Sequence, residues 1–484
     1  MPVSLPGSNF YARWLANRAP IAFEENEGRP AERLLQAVWH HQRLLRDALR
    51  LADGRTLRVL HPGFWNREAG PDFRGAILQI DGEMKTGDIE VDLVPGGWHG
   101  HGHDRNPNFK NVILHVVWET SGAEGALPTL CLKPVLDAPL DDLSRWLDSD
   151  AGQSWPRELS GNCCAPLREL KGEGLELLLK QAARIRLERK ARELHVRARQ
   201  AGWEQALWEG LFRALGYKQN VWPMRRLAEL IPDLRNDPAS PQHWQARLLG
   251  VSGLLPRQLE SRPVETRQCL RQLWDIWWRE QEKFTAVLLP RSLWKMNGLR
   301  PANHPQRRLA LAAHWLSNET LIPALEKWFL TETGAKQAAL DLLKLIQVND
   351  DPFWTRHWTL NSATMTQPQP LLGAARTTDL AVNVLLPWFW MRADSGQNAS
   401  LKTRAEQLYF EWPAAEDNAV LRLARRRLLG SGKTKLLASA AAQQGLMQIV
   451  RDFCEHSNAL CAECQFPDLI RQWRTEIGPP PPAN

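Results

Sequence analysis

Apolar residues fall on a helical stripe in residues 30–46, "PAERLLQAVWHHQRLLR", through Leu34, Leu35, Val38, Trp39 and Leu45. Pro30 stands near the start of that stripe, where the missing N–H of proline costs little. The period then shortens. "TLRVLHPG" (56–63) reads as a strand stopped by Pro-Gly, and "GPDFRGAILQIDGEMKTGDIEVDLV" (70–94) as two strands around a tight turn at Gly82. A Gly- and His-rich segment, "PGGWHGHGHDRNPNFKN", leads to a strongly apolar strand, "VILHVVWET" (112–120), and "PTLCLKPVL" adds a further strand. The order is helix, strand, hairpin, loop or short helix, strand.

After "SGNCCAP" (160–166) the apolar period turns helical. "LELLLKQAARIRLERKARELHVRARQ" and "WEQALWEGLFRALGY" predict two amphipathic helices, the second ended by Gly216. "RLALAAHWL", "LDLLKLIQ" and "NVLLPWFWM" continue the pattern. The expected class is α+β: a mixed α/β domain over 1–165, then an all-helical region over 166–484 as one or two subdomains. No fixed-period repeat supports a solenoid, and the tail "GPPPPAN" reads as solvated.

The hairpin raises a chemical question, because Asp72, Asp88, Glu90 and Asp92 lie along it. For a short loop centred on Gly82, facing residues have numbers summing to about 164, which sets Asp72 opposite Asp92 with Glu90 one step away on the same face. The other face then gathers Phe73, Ile77, Ile89, Val91 and Leu93. Clustered carboxylates repel unless a proton or cation compensates, and Mg²⁺ or Mn²⁺ suits such oxygen ligands. The competing reading is a set of acids lining a sheet edge or capping the following loop.

From Glu32 to Thr120 this arrangement resembles the PD-(D/E)XK nuclease superfamily. Pro71-Asp72 stands where that superfamily has Pro-Asp, and Glu90-Val91-Asp92 where it has acid-x-Lys. The resemblance implies a nuclease-like fold, with Asp72 and Glu90 as ligands of Mg²⁺ or Mn²⁺ and Glu32 as a distant one. The chain departs at the lysine, whose place is taken by Asp92. Glu83-Met84-Lys85 is a literal acid-x-Lys at the far end of the hairpin. Either Asp92 or a histidine of the run His99, His101, His103, represented by His101, is then left to orient the attacking water. "WHGHGHD" is also superficially similar to the His-x-His-x-Asp-His signature of metallo-β-lactamase hydrolases and would suit a cupin-like metal site. Its plain reading is a loop of solvated imidazoles, and His115 reads as a satisfied strand residue.

Cysteines add a second metal question. Cys454, Cys461 and Cys464 are spaced C-x6-C-x2-C, which suits Zn²⁺ or an iron–sulfur cluster given a fourth ligand, with Cys163, Cys164 and His456 as candidates. Unligated thiols are the alternative, and Cys131 and Cys269 read as buried small hydrophobes. Some nucleases of the superfamily named above assemble a four-cysteine cluster from distant positions. "RIRLERKARELHVRAR" (184–199) reads either as a solvated helix face of Glu–Arg pairs or as a phosphate-tracking surface through Arg189, Lys190 and Arg192. Gly432-Lys433-Thr434 follows a helix and lacks the first glycine of a phosphate loop, which excludes that motif.

Bulk properties narrow the setting. The chain has 484 residues, 43% hydrophobic and 24% charged, enough for two or three folded domains. It has no basic start followed by an apolar run, and no stretch of the about 18–20 apolar residues that a bilayer requires, so a cytoplasmic protein with no membrane partner is expected. Seven cysteines in so long a chain do not make a disulfide scaffold. A net charge of +7 and a pI near 9.1 make DNA or RNA plausible partners. The 23 tryptophans read mostly as core, with a minority available to stack on bases.

Blocks over almost the whole chain are similar to the bacterial family catalogued as domain of unknown function 2851. They include "HPGFWNREAGPDFRGAILQIDG", "WEGLFRALGYKQNVWPMRRLAELIP", "LRPANHPQRRLALAA" and "FCEHSNALCAEC". That resemblance implies a bacterial origin and a two-part architecture, and no activity; its usual pattern has His where this chain has Asp92. The functional expectation is metal-dependent phosphodiester hydrolysis of nucleic acid. Its alternative is a non-catalytic nucleic-acid-binding or scaffolding protein on a degenerate nuclease fold.

Overall fold

In the computed structural model the described residues are 9–17, 30–66, 70–96, 98, 106–119, 127–140, 143, 163–170, 172–217, 219–235, 239–260, 262–296, 298–416, 419–430, 437–454 and 464–477. The chain forms two compact units, one made of 1–189 with 414–484 and the other of 190–413. The expected break at 165/166 therefore differs from the observed one. Residues 414–484 rejoin the N-terminal unit instead of continuing a single helical region.

The first unit carries the sheet: β1 (Leu57–His61), β2 (Phe64–Trp65), β3 (Phe73–Ile80), β4 (Glu83–Asp92), β5 (Val112–Val117) and β6 (Thr129–Cys131). Strand order is β1-β3-β4-β5-β6, with β2 beside β3. The β1/β3 and β3/β4 pairs are antiparallel, whereas β4/β5 and β5/β6 are parallel. Helix α1 (Phe10–Asn17) precedes α2 (Glu32–His41). The α2 residues Leu34, Leu35, Val38 and Trp39 share a core with Leu78, Ile89, Val91, Leu114 and Val116. Those five alternate along their strands, so a single sheet face receives the helix.

The hairpin turn has both central residues at positive φ, Asp81 at 47° and Gly82 at 86°, as an Asp-Gly type I′ turn requires. Pairing runs from Ile80 opposite Glu83 to Ala76 opposite Gly87, then slips, and Phe73 faces Ile89. Gly75 (φ 67°) sits in the slip, its N–H donated to Asp88 Oδ1 at 3.0 Å. Two one-residue offsets correct the expected register: the Asp81-Gly82 turn makes facing numbers sum to 163 instead of 164, and the bulge lowers this to 162, so Asp72 meets Glu90, not Asp92. The bulge also reverses the alternation, so Ala76, Leu78 and Ile80 join Phe73 in the core while Ile77 is buried outside that cluster.

A second core of the same unit joins α1, α3 (Cys164–Glu169) and the first part of α4 (Gly172–Ala201) to the returning C-terminal segment. Tyr11, Leu178, Leu428, Ile449 and Phe466 are among its members. Tyr11 Oη donates to Asp452 Oδ2 at 2.6 Å, a contact between the two ends of the chain.

In the other unit the described elements are helical, and Trp244, Trp354, Trp388 and Trp412 are fully buried there, in keeping with tryptophan as core. Among the described residues, no helix is long and apolar enough to cross a membrane.

Strand β4 passes β5 so closely at Gly87 that an added Cβ would lie 2.4 Å from Ile113 Cγ2 and 2.5 Å from Asn111 O. Gly87→Ala is expected to destabilise the protein by about 1–3 kcal/mol through overpacking against backbone. A lowered urea midpoint checks this, and an unchanged midpoint contradicts it.

Candidate active site

Asp72 is the last residue before β3, and its corner is pinned from β2: Asn66 N–H donates to Asp72 O at 2.6 Å and Asn66 Nδ2 to Pro71 O at 2.9 Å. The acid then locks to β4 in both directions. Val91 N–H donates to Asp72 Oδ2 at 3.0 Å, and Asp72 N–H donates to Glu90 Oε2 at 3.1 Å. From α2, Gln36 Nε2 donates to Asp72 Oδ1 at 2.9 Å and to Glu32 Oε1 at 3.0 Å. Gln36 therefore bridges Asp72 to Glu32 one helical turn earlier.

Burial falls unevenly on these acids: Glu32 is exposed, Asp72 half-buried and Glu90 buried. Glu90 is 6% exposed. Burial, and then the charge of Asp72, push its carboxyl up to about 9. Burial and the charge of Glu32 push Asp72 up to about 7, against the bonds from Val91 and Gln36 that favour the ion. Burial and mutual repulsion thus favour the protonated form of both carboxyls.

Asp92 is occupied elsewhere. Its Oδ2 lies 2.8 Å from His115 Nε2, and both side chains are buried. His115 pairs with Glu90 across the parallel β4/β5 register, so strand alternation puts it on the face that Glu90 and Asp92 share. The Trp98 ring lies 5.8 Å from the imidazole. His115 is thus a satisfied strand residue, and Asp92 is held against it.

The other expected site residues are more dispersed. His101, with His99 and His103, lies outside the described residues, as do Cys461 and the side chain of Cys454. Cys163 and Cys464 both pack into the second core of the first unit. On α4, Arg189 is buried, Lys190 is half-buried and Arg192 is exposed, so the three do not form one solvent-facing stripe. Among the described residues no group of three or more His, Cys, Asp or Glu side chains is placed to hold a metal ion. The sequence reading missed Gln36, whose only signal is its i+4 spacing from Glu32 on a predicted helix.

The fold and site define an α+β protein whose mixed sheet carries a mutually repelling pair of carboxyls, Glu90 buried and Asp72 half-buried. The chain belongs to the family described as "Protein of unknown function (DUF2851)", whose model matches residues 32–419. No curated protein and no solved structure matches it.

Carboxyls raised from 3.8 to about 7 and from 4.5 to about 9 bind more protons folded than unfolded over that span. The metal-free protein should therefore lose stability as pH rises from about 5 to about 9. Glu90→Gln should flatten this slope and raise Tm at pH 9 while changing it little at pH 5. Parallel Tm–pH profiles of wild type and variant would contradict the assignment.

Proposed function

We propose that the Asp72–Glu90 pair is the centre of a metal-dependent phosphodiester hydrolase acting on nucleic acid. The observation that carries this reading is the cross-strand contact itself: a buried and a half-buried carboxyl, from opposite strands of one hairpin, each bonded to the other's strand. The donor set suits a hard divalent ion. Mg²⁺ is commonly held by one or two carboxylates, with water and substrate phosphate completing its shell, so no third protein ligand is needed. When bound, such an ion would lower the pKa of a water and neutralise charge on the phosphate. The chain's own residues set the geometry: Gln36 and the Val91 amide orient the Asp72 carboxylate, and Glu32 adds negative charge on the helix side.

A second reading has a specific observation in its favour. The lysine position of the nuclease pattern holds Asp92, and Asp92 is bound by His115, so no side chain at that position is available to orient a water. On this reading the protein binds nucleic acid or scaffolds an assembly without cleaving.

Purified full-length protein should cleave DNA or RNA with Mn²⁺ or Mg²⁺. Asp72→Ala and Glu90→Ala should each lower the rate by roughly 100-fold or more with folding intact. Absence of cleavage, with binding indifferent to metal and to both substitutions, contradicts the hydrolase and supports the binder.

A further inference from the structure

The 190–413 unit holds a cluster of the opposite sign. Within it lie α5 (Pro305–Ser317) and α6 (Ala374–Leu380). Arg308 on α5 is 4% exposed. It donates Nη1 to Leu371 O at 2.7 Å, and Nη2 to Tyr217 Oη at 3.0 Å and Asn303 Oδ1 at 3.1 Å. Its buried Nε has no acceptor among the described residues. From α6, Arg376 donates Nε to the same phenol oxygen at 2.9 Å and lies 3.4 Å from the centroid of the Tyr217 ring, with Nη1 on Asp379 Oδ2 at 3.0 Å.

The phenol oxygen of Tyr217 thus accepts two guanidinium N–H groups, and its own hydrogen has no acceptor among the described residues. Arg376 Nη2 likewise donates to none of them. Tyr217 and Arg376 are half-buried, so the cluster reaches solvent on one side.

Two other arginines of this unit, buried Arg247 and half-buried Arg197, are matched by carboxylates. Glu280 clasps Arg247 at 2.6 and 2.9 Å, and Glu209 holds Arg197 at 2.8 and 3.0 Å. Arg308 has only neutral acceptors, and its neighbour Arg307 donates only to the carbonyls of His357, Gln369 and Pro370. Both sit in the first turns of α5, the positive end of a helix that has no side-chain cap. A buried cation without a counter-ion is costly, and an anion is what removes the cost.

We propose that Tyr217, Arg308 and Arg376 form an oxyanion site for a phosphate group, with the Tyr217 hydroxyl, Arg308 Nε and Arg376 Nη2 as its donors. The site is independent of the carboxylate pair. The phosphate is either free or a terminal phosphomonoester of a nucleic acid, and the two sources differ in what else must bind.

Calorimetric titration of the full chain with inorganic phosphate, at constant ionic strength in chloride, should give one saturable site. Tyr217→Phe should weaken it about tenfold, the loss of one charge-assisted bond. Arg376→Gln should abolish it, with circular dichroism confirming the fold of each variant. A 5′-phosphorylated oligonucleotide binding more tightly than its 5′-hydroxyl form, and competing with phosphate, assigns the site to nucleic-acid ends. Equal binding of the two, with phosphate still bound, assigns it to free phosphate. Absence of a saturable phosphate site in the wild type, or unchanged affinity in Tyr217→Phe, overturns the proposal.

Discussion

The reciprocal bonds between Asp72 and the strand that bears Glu90 fix more than a local corner. They close the open end of the hairpin, where ordinary ladder pairing stops at Phe73 and Ile89. Carboxylate oxygens there accept the backbone N–H groups of Asp72 and Val91, taking the part that strand carbonyls play elsewhere in the ladder. The price is two acids brought together out of water, and the raised pKa values of both express it. A fold that needed only to close a hairpin could do so with neutral amides.

The same logic appears with reversed sign in the second unit. There the guanidiniums of Arg308 and Arg376 meet on one phenol oxygen, and Arg308 has only neutral acceptors, whereas Arg247 of that unit is clasped by a carboxylate.

Much of the N-terminal fold was legible because its signals are local. The α2 stripe, the Asp81-Gly82 turn and the apolar run of β5 depend on spacing and on turn chemistry over a few residues. What failed was register. Centring the turn on Gly82 shifted the pairing by one residue, and the bulge at Gly75, which leaves the apolar pattern of β3 looking regular, hid a second, so Asp72 was matched with Asp92. The return of residues 414–484 to the first unit was equally hidden, because helical periodicity marks a buried face without naming what covers it. The Asp92–His115 pair depends on which strand lies beside β4, and nothing in the local sequence of either residue specifies that.

The central claim is that Asp72 and Glu90 share a proton at neutral pH that a divalent cation displaces. Infrared difference spectroscopy of the carboxyl C=O stretch tests it most directly. At pH 7 the wild-type protein should show a protonated-carboxyl band that disappears in Glu90→Gln and on saturation with Mn²⁺. A spectrum without that band at pH 7, or a band indifferent to both changes, would contradict the account.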